Sequence, residues 1–193
     1  MGAGKSVAVD FFRDLGWPVY PSDERAKNLV AGSAQMQSEL VNAFGSAAIR
    51  PDGTPNASHL GVLAFSSQVH WETLNSIIHP AVHKDFATWL SQMKGAECPW
   101  VVRESALLFE VGLSSSCDRI LLITAPESIR RARIAARNPE QSQDALYKRM
   151  SFQWDDERKR ALLRAGDCEI ANAATKENLR DQLALWYDKA FTH

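Results

Sequence analysis

Cysteine is scarce in this chain, and neither sign of charge is in excess. Cys98, Cys117 and Cys168 are odd in number, widely spaced and form no Cys-x-x-Cys pair. They support neither a zinc cage nor a disulfide framework, and read as small apolar fillers in a reducing, cytosolic setting. A formal net charge of −1 gives no electrostatic reason to bind DNA or RNA. No apolar run approaches the roughly 18–20 residues that span a bilayer. His59, His70, His83 and His193 fall at no metal-ligand spacing. Internal repeats and low-complexity tracts are absent. So is Asn-Lys-x-Asp, the guanine-reading sequence of GTP switches.

What is present suits one globular unit with a small inserted subdomain: 193 residues, 45% of them hydrophobic. Val7 to Leu15 reads as a helix closed by Gly16, and Trp17-Pro18-Val19-Tyr20 as a short extended run. Pro21-Ser22-Asp23 turns out of it, with Ser22 or Asp23 able to cap a helix over Glu24–Ala31. Met36–Phe44 is amphipathic, and helical patterns follow around Ser58–Phe65 and Gln68–Ile78. Pro80 predicts a break after His79. Trp100 to Val102 leads a strand into Arg103-Glu104, and Leu107–Val111 opens the next element. Arg119–Thr124 is the strongest strand, apolar and β-branched enough for a covered parallel sheet. Helices are expected over Glu127–Arg137 after Pro126, through Trp154 and Arg164 beyond a polar stretch at Asn138–Gln143, and over Leu179–Phe191. Cys168–Ala171 is a last strand. Strands alternating with helices imply an α/β fold with a parallel sheet and right-handed crossovers, interrupted by a helical middle.

The chemistry starts at residue 1. Gly2-Ala3-Gly4-Lys5-Ser6 followed by Val7-Ala8-Val9 is the second half of a phosphate-binding loop, G-x-x-x-x-G-K-[ST], ahead of its helix. Glycines let backbone N–H groups crowd around an anion, and the helix N-terminus adds a favourable dipole. Lys5 would reach the terminal phosphates of a nucleotide, and the Ser6 hydroxyl would hold Mg2+. An N-terminal turn with a capping serine accounts for the same residues. The first glycine of the pattern and the strand that feeds it would precede Met1. The reading frame is therefore expected to extend upstream by about ten residues, a strand of typical length plus the missing loop half. A product begun at Met1 is expected to be unstable and weakly active or inactive.

Asp23 lies at the exit of the second expected strand, at the carboxyl edge where such sheets bind ligands. It suits a base that orients an acceptor hydroxyl, and equally a helix N-cap. Glu104 ends an apolar strand, either near a metal or as a solvated strand end. Arg130, Arg133 and Arg137 share a helix face at i, i+3 and i+7. That face suits a lid closing on polyphosphate, or an ordinary basic surface. His79 before Pro80 could contact a ligand or be structural.

Further matches run in order along the chain: Leu15-Gly16-x-Pro18-Val19-Tyr20-x-x-Asp23, Phe44-Gly45, Asp52-Gly53 and Ile77-Ile78-His79-Pro80. Then come Glu104-Ser105-Ala106-Leu107-Leu108-Phe109-Glu110, Asp118-Arg119, Arg133 with Arg137, Arg149-x-x-x-Gln153, and Asp167-x-x-Ile170-x-Asn172. With these the chain resembles the dephospho-coenzyme A kinase family. The resemblance implies a three-layer P-loop kinase core over 1–30 and 97–193, a helical CoA-binding insertion over about 31–96 and a lid over about 130–160. It implies transfer of the ATP γ-phosphate to the 3'-hydroxyl of dephospho-CoA with Mg2+, by a monomer or weak homo-oligomer. Asp23 would be the base and Lys5 its catalytic partner on the phosphates. Gly2, Ala3, Gly4, Lys5, Ser6 and Val7 would form the ATP loop, with Arg133 and Arg137 as lid contacts. His79, Leu108 and Phe109 would line the acceptor, and Ser6 and Glu104 would serve the metal. Pro21-Ser22-Asp23 stands where the family often has Asp-x-Asp, and Glu104 where it has Asp. Another P-loop nucleoside or nucleotide kinase is the alternative of the same class.

Overall fold

The computed structural model of the chain describes residues 1–64, 66–93, 99–137, 150 and 153–191. In chain order the elements are α1 (Lys5–Asp14), β1 (Val19–Pro21), α2 (Ser22–Ala31), α3 (Ala34–Phe44), α4 (Ala57–Ala64), α5 (Gln68–Gln92) and β2 (Val102–Glu104). There follow β3 (Leu121–Thr124), α6 (Glu127–Arg137), α7 (Asp156–Arg160), β4 (Cys168–Ala171) and α8 (Lys176–Phe191). Short 3-10 turns occupy Ser46–Ala48 and Leu113–Ser116. Arg149, Cys98 and the polar stretch Asn138–Gln143 lie outside the described residues. The class is mixed α/β with parallel pairing, as the alternation of strands and helices predicts.

Two compact units share the chain: Met1–Val19 with Ala106–His193, and Tyr20–Ser105. In the first, β3 and β4 run parallel, with Leu121 opposite Cys168 and Thr124 opposite Ala171. Asp167 fixes the entry to this pair, accepting from Ile120 N (2.7 Å) and Arg164 N (2.8 Å). Ile123 and Ile170 bury their side chains, as does Ile134 of α6. Helix α1 is amphipathic because Ala8, Phe11 and Phe12 recur at helical spacing, and all three are buried. It packs on α8, whose Leu179 and Leu183 are fully enclosed. Phe12 meets Trp186 edge-on, and Trp17 does the same with Phe191 at 5.0 Å. Such pairs each add about 0.5–1.5 kcal/mol beyond their buried area.

The second unit is mostly helical. Ser33 caps α3 by accepting from Met36 N (3.2 Å), and Gly45, at φ 82°, ends it. Val30, Met36, Leu40, Phe44, Ala48 and Leu60 form its core. Helix α5 corrects an expectation: it runs through Pro80 without a break. A proline inside a helix costs about 3 kcal/mol. Here the apolar face continues on both sides of it: Leu74, Ile77, Ile78 and Ala81 pack on the core, and Val82 is buried. Pro80 itself points to solvent, so the buried face outweighs the lost hydrogen bond.

Candidate active site

Within the first unit, the turn from Gly2 to Gly4 leads directly into α1. Gly2 and Gly4 adopt φ of +74° and +108°, a region that other residues rarely enter. Space imposes the same choice. A Cβ on Gly2 would lie 2.7 Å from Arg130 O, and one on Gly4 would lie 2.3 Å from Asn172 Nδ2. Helix α1 has no side-chain cap and no acidic residue in its first turn, so no carboxylate of its own offsets the positive end of its dipole, while the Val7 N–H closes the turn on Gly4 O (3.0 Å). This overturns the capping-serine account of Ser6, whose hydroxyl instead lies exposed in the first turn beside the half-buried Lys5.

The arginines of α6 take different partners. Arg130 reaches Asp156 (3.5 Å), and Arg131 pairs with Glu127 one turn back. Arg133 donates to Gly2 O (3.5 Å), Asn172 O (3.3 Å), Asn172 Oδ1 (3.2 Å) and Ala174 O (2.9 Å). Arg137 is exposed at the last turn. In the turn after the second strand, Phe109 is buried and Leu108 half-buried. Glu110 accepts from Lys159 Nζ (3.0 Å) and Trp154 N (2.9 Å).

Within the second unit, Asp23 is the second residue of α2 and exposed. The helix begins at Ser22 with Pro21 at the cap position and no side-chain cap bond. Neither Ser22 nor Asp23 is therefore the cap. Asp23 and Glu24 instead place negative charge in the first turn, where the helix dipole favours it.

A partly buried polar knot ties the start of α2 to α5. Arg25 holds Asp85 through two bonds (2.8 and 2.6 Å), and Tyr20 donates its hydroxyl to Asp85 (2.6 Å) and to Val82 O (3.2 Å). The hydrogen bonds from Arg25 hold the Asp85 carboxyl below its usual range. Burial, then the bond to Asp85, pushes the Tyr20 phenol up to about 12. The Arg103 guanidinium sits 4.2 Å from the Phe86 ring centre, a cation–π contact. His79 bonds Asn75 Oδ1 through Nε2 (2.9 Å). Burial first, then the charge of Arg103, lowers its pKa, so the imidazole is neutral at pH 7. Glu104 is the half-buried last residue of β2.

A glycine turn that only glycine can make, feeding an uncapped helix led by Lys-Ser, is the architecture of a nucleotide-phosphate site. The family model for dephospho-CoA kinase (CoaE) matches residues 1–177. The chain belongs to the dephospho-CoA kinase family. A dephospho-CoA kinase of Porphyromonas gingivalis is 38% identical over 174 residues, covering 90% of this chain and 82% of that protein. The crystal structure of TT1252 from Thermus thermophilus superimposes with a TM-score of 0.75 at 27% identity, covering 97% of this chain and 93% of that one. The dephospho-CoA kinase of Campylobacter jejuni shares the fold at a TM-score of 0.66 and 18% identity, over 98% and 93% of the two chains.

Against this dephospho-CoA kinase frame, sequence reasoning singled out the phosphate loop, Asp23, His79, Glu104, Phe109 and the α6 arginines. It passed over Asp85, Arg25 and Lys159, whose roles arise only from pairing across distant segments. Asn172 was visible as the end of Asp-x-x-Ile-x-Asn. Nothing in that pattern discloses its bond to Ala3 O (2.8 Å).

Proposed function

We propose that this chain transfers the γ-phosphoryl group of ATP to the 3'-hydroxyl of dephospho-CoA, forming CoA in the final step of its synthesis. The supporting observation is the turn from Gly2 to Gly4, with its two obligatory glycines, leading into the uncapped N-terminus of α1. Backbone amides from Gly2 to Ser6 would bind the ATP phosphates, next to Val7, whose N–H is taken by Gly4 O (3.0 Å). Lys5 would carry positive charge to the oxygens that gain negative charge as the phosphoryl group leaves. The Asp23 carboxylate, exposed at the start of α2, would orient the acceptor hydroxyl and take its proton. Neutral His79 can donate or accept a hydrogen bond to the acceptor without adding charge, and Leu108 and Phe109 would line it.

Mg2+ is the metal this reading assigns. The Ser6 hydroxyl and the Glu104 carboxylate are hard oxygen ligands, and Mg2+ in phosphoryl-transfer sites takes few protein ligands beside waters and phosphates. When bound, the ion neutralises phosphate charge. Arg137, exposed at the end of α6, would be the lid contact to ATP, in a lid over about 130–160, and the helical insertion over about 31–96 would hold CoA. Among the described residues no helix is long and apolar enough to cross a membrane. A cytosolic monomer or weak oligomer is the setting we assign.

An acceptor survey tests the proposal. ADP release from ATP should require dephospho-CoA and should not be supported by nucleosides or nucleoside monophosphates. Equal or better turnover with a nucleoside would make this a P-loop kinase of another specificity.

A further inference from the structure

The amide N–H groups of a phosphate loop bind an anion only if their carbonyls are turned away. In this chain two side chains take those carbonyls. Asn172 donates Nδ2 to Ala3 O (2.8 Å), and Arg133 donates Nη1 to Gly2 O (3.5 Å). The described residues contain no cis peptide, and in a planar trans peptide the N–H points opposite to the C=O that precedes it. Fixing Ala3 O therefore aims the Gly4 N–H away from Asn172. Fixing Gly2 O aims the Ala3 N–H away from Arg133.

The two side chains also fix one another. Arg133 Nη2 donates to Asn172 Oδ1 (3.2 Å) and Nη1 to Asn172 O (3.3 Å), while Nη2 also reaches Ala174 O (2.9 Å). Only one orientation of the Asn172 amide places oxygen toward the guanidinium and nitrogen toward the carbonyl. The Asn172 backbone N–H donates to Thr124 O (2.7 Å), extending the parallel β3–β4 ladder by one bond. Asn172 is 4% exposed, so its four polar groups are matched within the fold. Gly4 completes the fit, since any Cβ there would strike this amide.

From this we infer that Asn172 and Arg133 are positioning residues for ATP: a paired clamp that turns the loop carbonyls outward and presents the Ala3 and Gly4 amides to the phosphates. The inference deepens the ATP-kinase reading and rests on it. It gives Arg133 a duty separate from that of Arg137, which keeps the lid contact. A lid residue must swing, whereas Arg133 is held by four acceptors contributed by Gly2, Asn172 and Ala174.

Asn172→Asp is the discriminating variant. It keeps the size and the pairing with Arg133, but replaces the donor facing Ala3 O with an acceptor. ATP affinity, measured by calorimetry on the full chain, should fall by about tenfold or more, the scale of one lost buried hydrogen bond. Dephospho-CoA affinity should hold within about twofold, because in this reading the Ala3 and Gly4 amides serve the ATP phosphates and not the acceptor. Arg133→Gln should act in the same direction, and serves alone if Asn172→Asp does not fold. Equal losses for both ligands, or unchanged ATP affinity, would overturn the clamp. Lys5→Ala separates the two levels. If it leaves ATP affinity intact, the phosphate-loop reading itself is wrong and the clamp falls with it. If Lys5→Ala weakens ATP and Asn172→Asp does not, only the clamp is refuted.

Discussion

Lys159→Met should be among the most destabilising single changes in the first unit. Lys159 Nζ lies 3.0 Å from Glu110 Oε1, and the two side chains are only 11% and 2% exposed. The same oxygen accepts from Trp154 N (2.9 Å), while Glu110 Oε2 has no hydrogen-bond partner among the described residues. Methionine keeps a flexible apolar stem of similar length, so packing changes little. What changes is charge: the Glu110 carboxylate stays buried with a single neutral donor. Removing one partner of a buried pair costs about 3–5 kcal/mol, from a total stability of about 5–15 kcal/mol. For a chain of this size each kcal/mol lowers Tm by about 2–4 °C, so thermal unfolding should show a drop of about 6–20 °C. Adding Glu110→Gln should restore much of it, since the amide oxygen can still accept from Trp154 N and no charge is stranded. Arg131→Ala, which breaks the exposed pair with Glu127, should cost no more than about 1 kcal/mol. If Lys159→Met costs no more than Arg131→Ala, the buried-pair reasoning is wrong.

Asp23→Asn should lower turnover by about a hundredfold or more, the scale of a lost general base, with ATP affinity little changed. Pro21, not Asp23, holds the cap position of α2, so the turnover loss should far exceed any stability loss, and a large melting shift at unchanged turnover per folded molecule would refute the assignment. Asp85 carries a pH signature. Its folded pKa is depressed by the hydrogen bonds from Arg25, so its stabilisation is present above the unfolded value of about 3.9 and is lost as pH falls through the lower folded value. Asp85→Asn should therefore lower stability at pH 7 and lessen the further loss on acidification below about pH 4, as denaturant titrations at both pH values would show. An unchanged acid limb would remove Asp85 from the account.

Much of this fold is legible in the sequence where the signal is local. Glu127–Arg137 has Pro126 before it and buries Ile134, and the helix keeps those bounds. Cys168–Ala171 is a strand as expected, because an apolar run after a turn at Gly166 pairs in register with β3. The strand expected over Arg119–Thr124 is trimmed to Leu121–Thr124, since Asp167 takes the Ile120 amide as a side-chain partner. Non-local forces decide the rest. Proline's local preference against helix is overridden at Pro80 by a buried face on both sides. The start of α2 at Ser22 depends on the Tyr20–Asp85–Arg25 knot, whose members lie more than 60 residues apart in part. Arg130 and Arg133 share a face with Arg137 by spacing, yet those two have separate partners, because Asp156, Gly2 and Asn172 arrive from elsewhere in the chain.

The most direct test follows the product. Wild-type chain incubated with ATP, Mg2+ and dephospho-CoA should form CoA and ADP one for one, with the new phosphate on the 3'-hydroxyl as read by mass and fragmentation. Lys5→Ala should lower the rate by about 10²–10³, the scale for loss of a key electrostatic donor to the transferring group. Failure to form CoA, phosphate at another position, or undiminished turnover in Lys5→Ala would contradict the account.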